Sequence, residues 1–309
     1  MGVGDVSAGP RPEPGAPDAG LPTVVLLPPA GGSAVLGRAW SAALVGTARV
    51  EPLRVPRAAG GGLGESARVV AGRTPRSGLW ILAGHSLGGL LAFEVVRVLE
   101  AGGLHLPEHV VVMGSRPPHQ ATGPLFAGLV DLPDDEMLAG LARTGAVEAS
   151  LPEHPMRRLF VPGLRADLRL LVDTPAAPAD ATVGVPVHAW HGTDDRLALP
   201  AAARGWATHA AGPFHSRTFR GGHFFPVEQV TEVVAALPLP ALPVGAQAPA
   251  KNAPTAAASA AGSSTWHISR AECIESRAMP TSTVRTPERV AVRGPMVEPH
   301  GTELFDTKS

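Results

Sequence analysis

The sequence predicts an α/β fold, with a mainly parallel sheet, helices on both faces and one helical insertion. Three observations carry this. Short apolar or β-branched runs recur at Thr23–Leu27, Trp80–Ala83, Val110–Met113 and Val185–Trp190. Segments of helical period lie between the earlier runs, the longest from Leu87 to about Ala101. Strands that alternate with helices pair in parallel through crossovers. Between Met113 and Val183 the alternation stops and no strand-like run appears, which marks the insertion.

The first strand, TVVLL, is stopped by Pro28 and Pro29, which cannot donate to a ladder. AGGSA follows, then a helix through Trp40 and Leu44. Ala48–Val55 alternates loosely and reads as a second strand. Ala58–Gly64 is a glycine-rich loop, and Glu65–Ala71 a helix. WILA, Trp80–Ala83, is a buried strand that turns almost at once into the helix from Leu87. Within the insertion, Pro133–Arg143 reads as a short helix. Asp134 or Asp135 stands at its start, and Met137, Leu138 and Leu141 share one face. Met156–Leu171 is a second apolar-faced segment, broken at Pro162–Gly163. An insertion this apolar, over approximately 118–180, is suited to cover a site as a lid. Val185–Trp190 resumes the sheet, and a short strand ending at Phe219 closes it.

The folded domain is expected over 21–239. Residues 1–20 read as a flexible polar arm without the apolar stretch of a signal peptide. Residues 240–309 read as a low-complexity, disordered tail, a short helix at Ser269–Arg277 being the structured alternative. A formal net charge of -1 gives no long-range pull toward nucleic acid or anionic lipid. No run approaches the roughly 18 apolar residues that span a bilayer. The single cysteine, Cys273, can close no internal disulfide and build no structural zinc site. That is compatible with a cytoplasmic location.

The chemistry centres on Gly84-His85-Ser86-Leu87-Gly88, which fits the G-x-S-x-G elbow. A serine on a sharp strand-to-helix turn needs small neighbours, because a Cβ on either flank would meet the turn. Its backbone also lies at a helix N-terminus, where N–H groups favour negative charge. A nucleophilic serine needs a base, and the base an orienting acid. Chain order in this arrangement is serine, acid, histidine. Asp195, in HGTDDRLAL after the Val185–Trp190 strand, is the preferred acid, with the adjacent Asp194 left open by spacing. His223, in RGGHFF, is the base, its loop given reach by Gly221 and Gly222. His85 points elsewhere from the elbow, His188 lies inside a strand, and His191, His209 and His215 lack two preceding glycines. The oxyanion needs two N–H donors: Leu87, and Ala30 or Gly31 from the loop PPAGGSA. No G-K-[ST] follows these glycines, so a phosphate loop fits poorly. The expected reaction is two-step acyl transfer to water with no metal or organic cofactor.

LLPPAGGSA, LAGHSLGGLLAFEVVRVLEAGG, LPDDEMLAGLARTG, VPGLRADLRLL, VPVHAWHGTDD and FRGGHFF occur in one order over roughly residues 21–238. In this the chain resembles the type II thioesterases, stand-alone α/β-hydrolases that serve polyketide and nonribosomal peptide synthases in antibiotic biosynthesis. The resemblance implies the α/β-hydrolase fold and hydrolysis of acyl or aminoacyl groups from the phosphopantetheine thiol of carrier proteins. It maps the triad onto Ser86, Asp195 and His223, and the oxyanion donors onto Ala30 and Leu87. The acyl or peptidyl carrier protein would be the partner, with no nucleic acid and no membrane. VPRAAGGGLGE, residues 55–65, departs from the family's usual proline-glycine-arginine stretch. A general serine esterase or acyltransferase, and a non-catalytic carrier-binding scaffold, are the other readings of the same scaffold.

Overall fold

Thr23–Leu27 (β1), Trp80–His85 (β3), His109–Met113 (β4) and Val187–Gly192 (β5) are runs of buried residues. Such runs form the interior of a sheet covered on both faces. Arg49–Pro52 (β2) and Phe214–Phe219 (β6), with polar and exposed positions, take the two edges. The order is β2-β1-β3-β4-β5-β6, with every pairing parallel. The computed structural model describes residues 20–32, 34–56, 62–120 and 123–239, all within one unit, Met1–Lys251. The expected arm, Gly20 apart, and the expected tail with Cys273 lie outside the described residues.

Side-chain alternation along each strand divides the core in two. Val25, Leu27, Leu82, Val110 and Val112 face one way, toward helices Gly62–Ala71 (α2) and Leu87–Ala101 (α3). Val24, Leu26, Ile81, Val111 and Met113 face the other, toward Ala34–Ala43 (α1) and the C-terminal helices. Each of these side chains contributes about 1.5–3 kcal/mol by leaving water. Between β4 and β5 lie helices Asp134–Thr144 (α4) and Arg157–Asp173 (α5) and no strand among the described residues. Pro200–Ala203 (α6), Phe225–Glu228 (α7) and Val230–Ala235 (α8) complete the helices. No helix among the described residues is long and apolar enough to cross a membrane.

Two elements differ from expectation, and a third, α4, begins at Asp134 as expected. α5 runs unbroken through Pro162. Val161, Leu164, Leu168 and Leu171 form one buried stripe on it, and that burial outweighs the roughly 3 kcal/mol of an internal proline. β6 starts at Phe214, four of its first five side chains being exposed, so apolarity alone underestimates its length. α4 is preceded by Pro133, its three acidic residues filling the first turn, where the helix dipole favours them.

Strand order reverses on either side of β1 and β3. In open α/β sheets the crevice beyond the carboxyl ends at such a switch point is where ligands bind. The loop after β1 and the turn after β3 flank it.

Two histidines, His85 buried and His188 half-buried, give the fold an acid sensitivity. His85 is pushed down to about 3, by burial first and the nearby His223 second. His188 is pushed down to about 4 by burial, then by His109 and His215. His188 Nε2 lies 3.2 Å from His109 Nδ1, and its ring stacks on His215 at 4.7 Å. Both folded values lie below the unfolded value of about 6.5. The stability they confer is therefore complete above 6.5 and falls as pH drops toward 4, because the unfolded chain takes up protons the fold refuses. The urea midpoint is expected to be lower at pH 5 than at pH 7.5, a window above the range of carboxylates. An unchanged midpoint would refute this.

Candidate active site

At the end of β3 the chain reverses at Ser86, with φ 55° and ψ −115°. This is the one non-glycine residue with positive φ among the described residues. Such a conformation costs on the order of 1–3 kcal/mol and persists only where its surroundings fix it. Ser86 N–H donates to Met113 O at 2.8 Å, and Ser86 O accepts from Gly89 N–H at 2.9 Å. Small neighbours are obligatory. A Cβ on Gly84 would lie 2.0 Å from Gly88 O, and one on Gly88 would lie 2.3 Å from Leu27 O. One on Gly89 would lie 2.6 Å from Ser115 Cβ. The elbow is thereby wedged against the end of β1. The N–H of Leu87, first residue of α3, has no acceptor one turn earlier.

Asp195 sits three residues past β5 and is 1% exposed. Its Oδ2 lies 3.0 Å from His223 Nδ1. Its Oδ1 accepts from the N–H groups of Leu197 at 2.9 Å and Ala198 at 3.0 Å. Burial opposes the charge, but the His223 bond and those two N–H groups outweigh it and hold the carboxyl below its ordinary value. Asp194 is exposed and accepts from the Thr193 hydroxyl at 3.0 Å, while its own N–H donates to Gly221 O at 2.9 Å. Of the two neighbouring aspartates, Asp195 alone brings its carboxylate to the imidazole. The loops after β5 and β6 pass so closely that a Cβ on Gly192 would lie 2.4 Å from the carbonyls of Gly221 and Gly222.

With Nδ1 donating to Asp195, His223 keeps Nε2 as its basic nitrogen. The ring lines one cavity together with Ser86, Leu87, Phe126 and Leu197. In the structure its side-chain hydrogen bond goes to Asp195.

After β1, Gly31 (φ 85°) and Gly32 (φ 68°) turn the loop back, with Gly32 N–H donating to Pro29 O at 3.0 Å. Gly31 N–H donates to the buried Asp167 Oδ2 at 2.8 Å, and Leu164 packs on the Gly31 backbone. The LRAD turn of α5 thus anchors this loop to the insertion. Its Arg165 reaches back to Leu132 O and Asp134 Oδ1 at 2.9 and 2.7 Å, which ties α5 to the start of α4.

Sequence reasoning missed three contributors. Gly114 follows β4 at φ 53°, and a Cβ there would lie 3.2 Å from Asp195 Oδ2 and 3.3 Å from His223 Nδ1. It clears the floor under the pair; a glycine directly after a buried strand was the available signal. His85, read as pointing away, is hydrogen-bonded from Nε2 to His223 O at 2.8 Å, its ring tilted 42° to the His223 ring at 4.9 Å. Ser115, beside the cavity, is buried with its hydroxyl unpartnered. Among the described residues no group of three or more His, Cys, Asp or Glu side chains is placed to hold a metal ion.

Comparison with known proteins places the chain in a family. The thioesterase-domain family model matches residues 22–238. Thioesterase PikA5 of Streptomyces venezuelae is 34% identical over 168 residues, 53% of this chain and 58% of that protein. The probable cadicidin biosynthesis thioesterase of Streptomyces griseus is 33% identical over 163 residues, 51% of this chain and 44% of that one. These alignments span about half the length of the curated relatives. Among solved structures, the RedJ thioesterase of the prodiginine pathway in Streptomyces coelicolor superposes with a TM-score of 0.60 at 28% identity. It covers 73% of this chain and 91% of RedJ. Six parallel strands, helices on both faces and a match over most of its length establish that the chain belongs to the thioesterase-domain family of α/β-hydrolases.

Proposed function

We propose that the protein is a type II thioesterase, hydrolysing acyl or aminoacyl thioesters from the phosphopantetheine arm of carrier proteins in polyketide or nonribosomal peptide biosynthesis. The observation that carries this is His223, bonded to the buried Asp195 and lining one cavity with a serine held at positive φ. The similarity to thioesterase PikA5 and to RedJ, the thioesterase of the prodiginine pathway, supports the substrate class.

In this reading His223 Nε2 takes the Ser86 proton as Oγ attacks the thioester carbon. Asp195 holds the ring in the Nδ1–H tautomer and stabilises the imidazolium that forms. The oxyanion collects on the N–H of Leu87 and the N–H of Ala30. Ala30 takes that role over Gly31, whose N–H is committed to Asp167. The thiol leaves with the proton from His223, and water attacks the acyl-enzyme by the same route. The helices between β4 and β5 serve as the lid.

Carrier proteins loaded with different acyl groups, weighed intact before and after treatment, test the reading. Acyl loss with the parent and none with Ser86→Ala is expected. Equal or better turnover of simple oxygen esters of the same chain length would favour a general esterase instead. Within the triad, Asp195→Asn is expected to lower kcat on the order of 10⁴-fold, because the ring loses its orienting charge. Asp194→Asn, at an exposed side chain, should change it by no more than about twofold. Steady-state kinetics on one loaded carrier checks both, and comparable losses would reassign the acid.

A further inference from the structure

Ser86, Leu90 and Glu94 follow one another at four-residue spacing from the elbow along α3. Residues so spaced line one face of a helix, each about 6 Å further along its axis. Leu90 and Glu94 lie on the less buried face of a helix otherwise packed into the core. The cavity over Ser86 is bounded by Leu90 from α3 and Leu171 from α5. The same two leucines bound a second cavity, whose lining also includes Leu63, Glu94, Pro118, Gln120, Thr174 and Ala177. Two side chains, one from the core helix and one from the insertion, therefore stand between the reacting serine and a further apolar-walled space.

We infer that the second cavity is the distal half of the acyl site and that Leu90 and Leu171 meter chain length. This rests on the thioesterase reading above and names the acyl class it favours. An extended chain advances about 1.2 Å per bond, from roughly 3.6 Å for the three bonds of a residue. The leucines thus stand about five bonds from Ser86, and Glu94 about ten. Short acyl groups end inside the first cavity. A linear chain of about ten carbons reaches the second only by parting the leucines. The occupant is the substrate's own acyl chain, because the second space continues the first along the helix that carries the serine. Glu94, paired to Arg97 at 2.9 Å, lines it on the α3 side and offers a charged rather than an apolar wall there.

The test measures kcat/KM for butanoyl- and decanoyl-pantetheine with the parent, Leu171→Ala and Ala177→Trp, with a thermal melt of each. Leu171→Ala widens the passage and is expected to raise the decanoyl-to-butanoyl ratio about tenfold; Ala177→Trp fills the distal space and is expected to lower it about tenfold. Where Leu171→Ala does not fold, Ala177→Trp decides alone. A folded variant whose ratio stays within about twofold of the parent's overturns the inference. A parent inactive on both thioesters, and on loaded carriers, overturns the thioesterase reading instead.

Discussion

Ser86→Ala and His223→Ala are each expected to cut single-turnover acyl release by about 10⁵–10⁶-fold, and the double variant by no more than either alone. In the proposed mechanism the serine and histidine act as one unit: without the base the hydroxyl remains a poor nucleophile, and without the hydroxyl the base has nothing to activate. Residual turnover would come from Leu87 and Ala30 N–H groups acting on a bound thioester attacked by water. The variants should fold, since alanine at 86 keeps the same backbone bonds to Met113 and Gly89. Quenched-flow measurement with an acyl-loaded carrier gives the rates. Losses that multiply in the double variant would mean independent roles, and the triad would have to be abandoned.

Gly88→Ala is expected to be among the most damaging single methyl groups in the domain. Its Cβ would lie 2.3 Å from Leu27 O and 2.7 Å from Pro28 O, and both are backbone atoms at the end of a central strand. No rotamer relieves this; β1 or the elbow must move. A loss of at least about 3 kcal/mol follows, beyond most overpacking because the clash is with main chain. For a domain of this size that is a fall in Tm of roughly 6–12 °C. Gly64→Ala is the matched control: it lies in α2 with nothing within 4 Å of the added carbon. Alanine is the better helix former, so Tm should rise by the equivalent of about 0.5–1 kcal/mol. Opposite signs from one chemical change, read by calorimetry, would fix the cause as local geometry. Equal effects would refute it.

The turn at Ser86 and the loops that carry Asp195 and His223 were legible because each lies where a strand ends, beside glycines whose absence of side chain is itself a signal. GHSLGG, HGTDD and RGGHFF carry that punctuation. Contacts between distant segments were not legible. Nothing in the local pattern around Asp167 says that its carboxylate meets Gly31, more than a hundred residues earlier. His85 looked idle because its partner is a carbonyl far along the chain. Pro162 looked like a break because helix propensity is local, whereas the burial that holds α5 together is tertiary.

His223 follows β6, whose outer side pairs with no strand among the described residues. Amide protons there are expected to exchange with solvent sooner than those of β3, since edges fray before centres. Warming would then unmoor the imidazole while the nucleophile's own strand stays intact, so inactivation should precede melting and reverse on cooling.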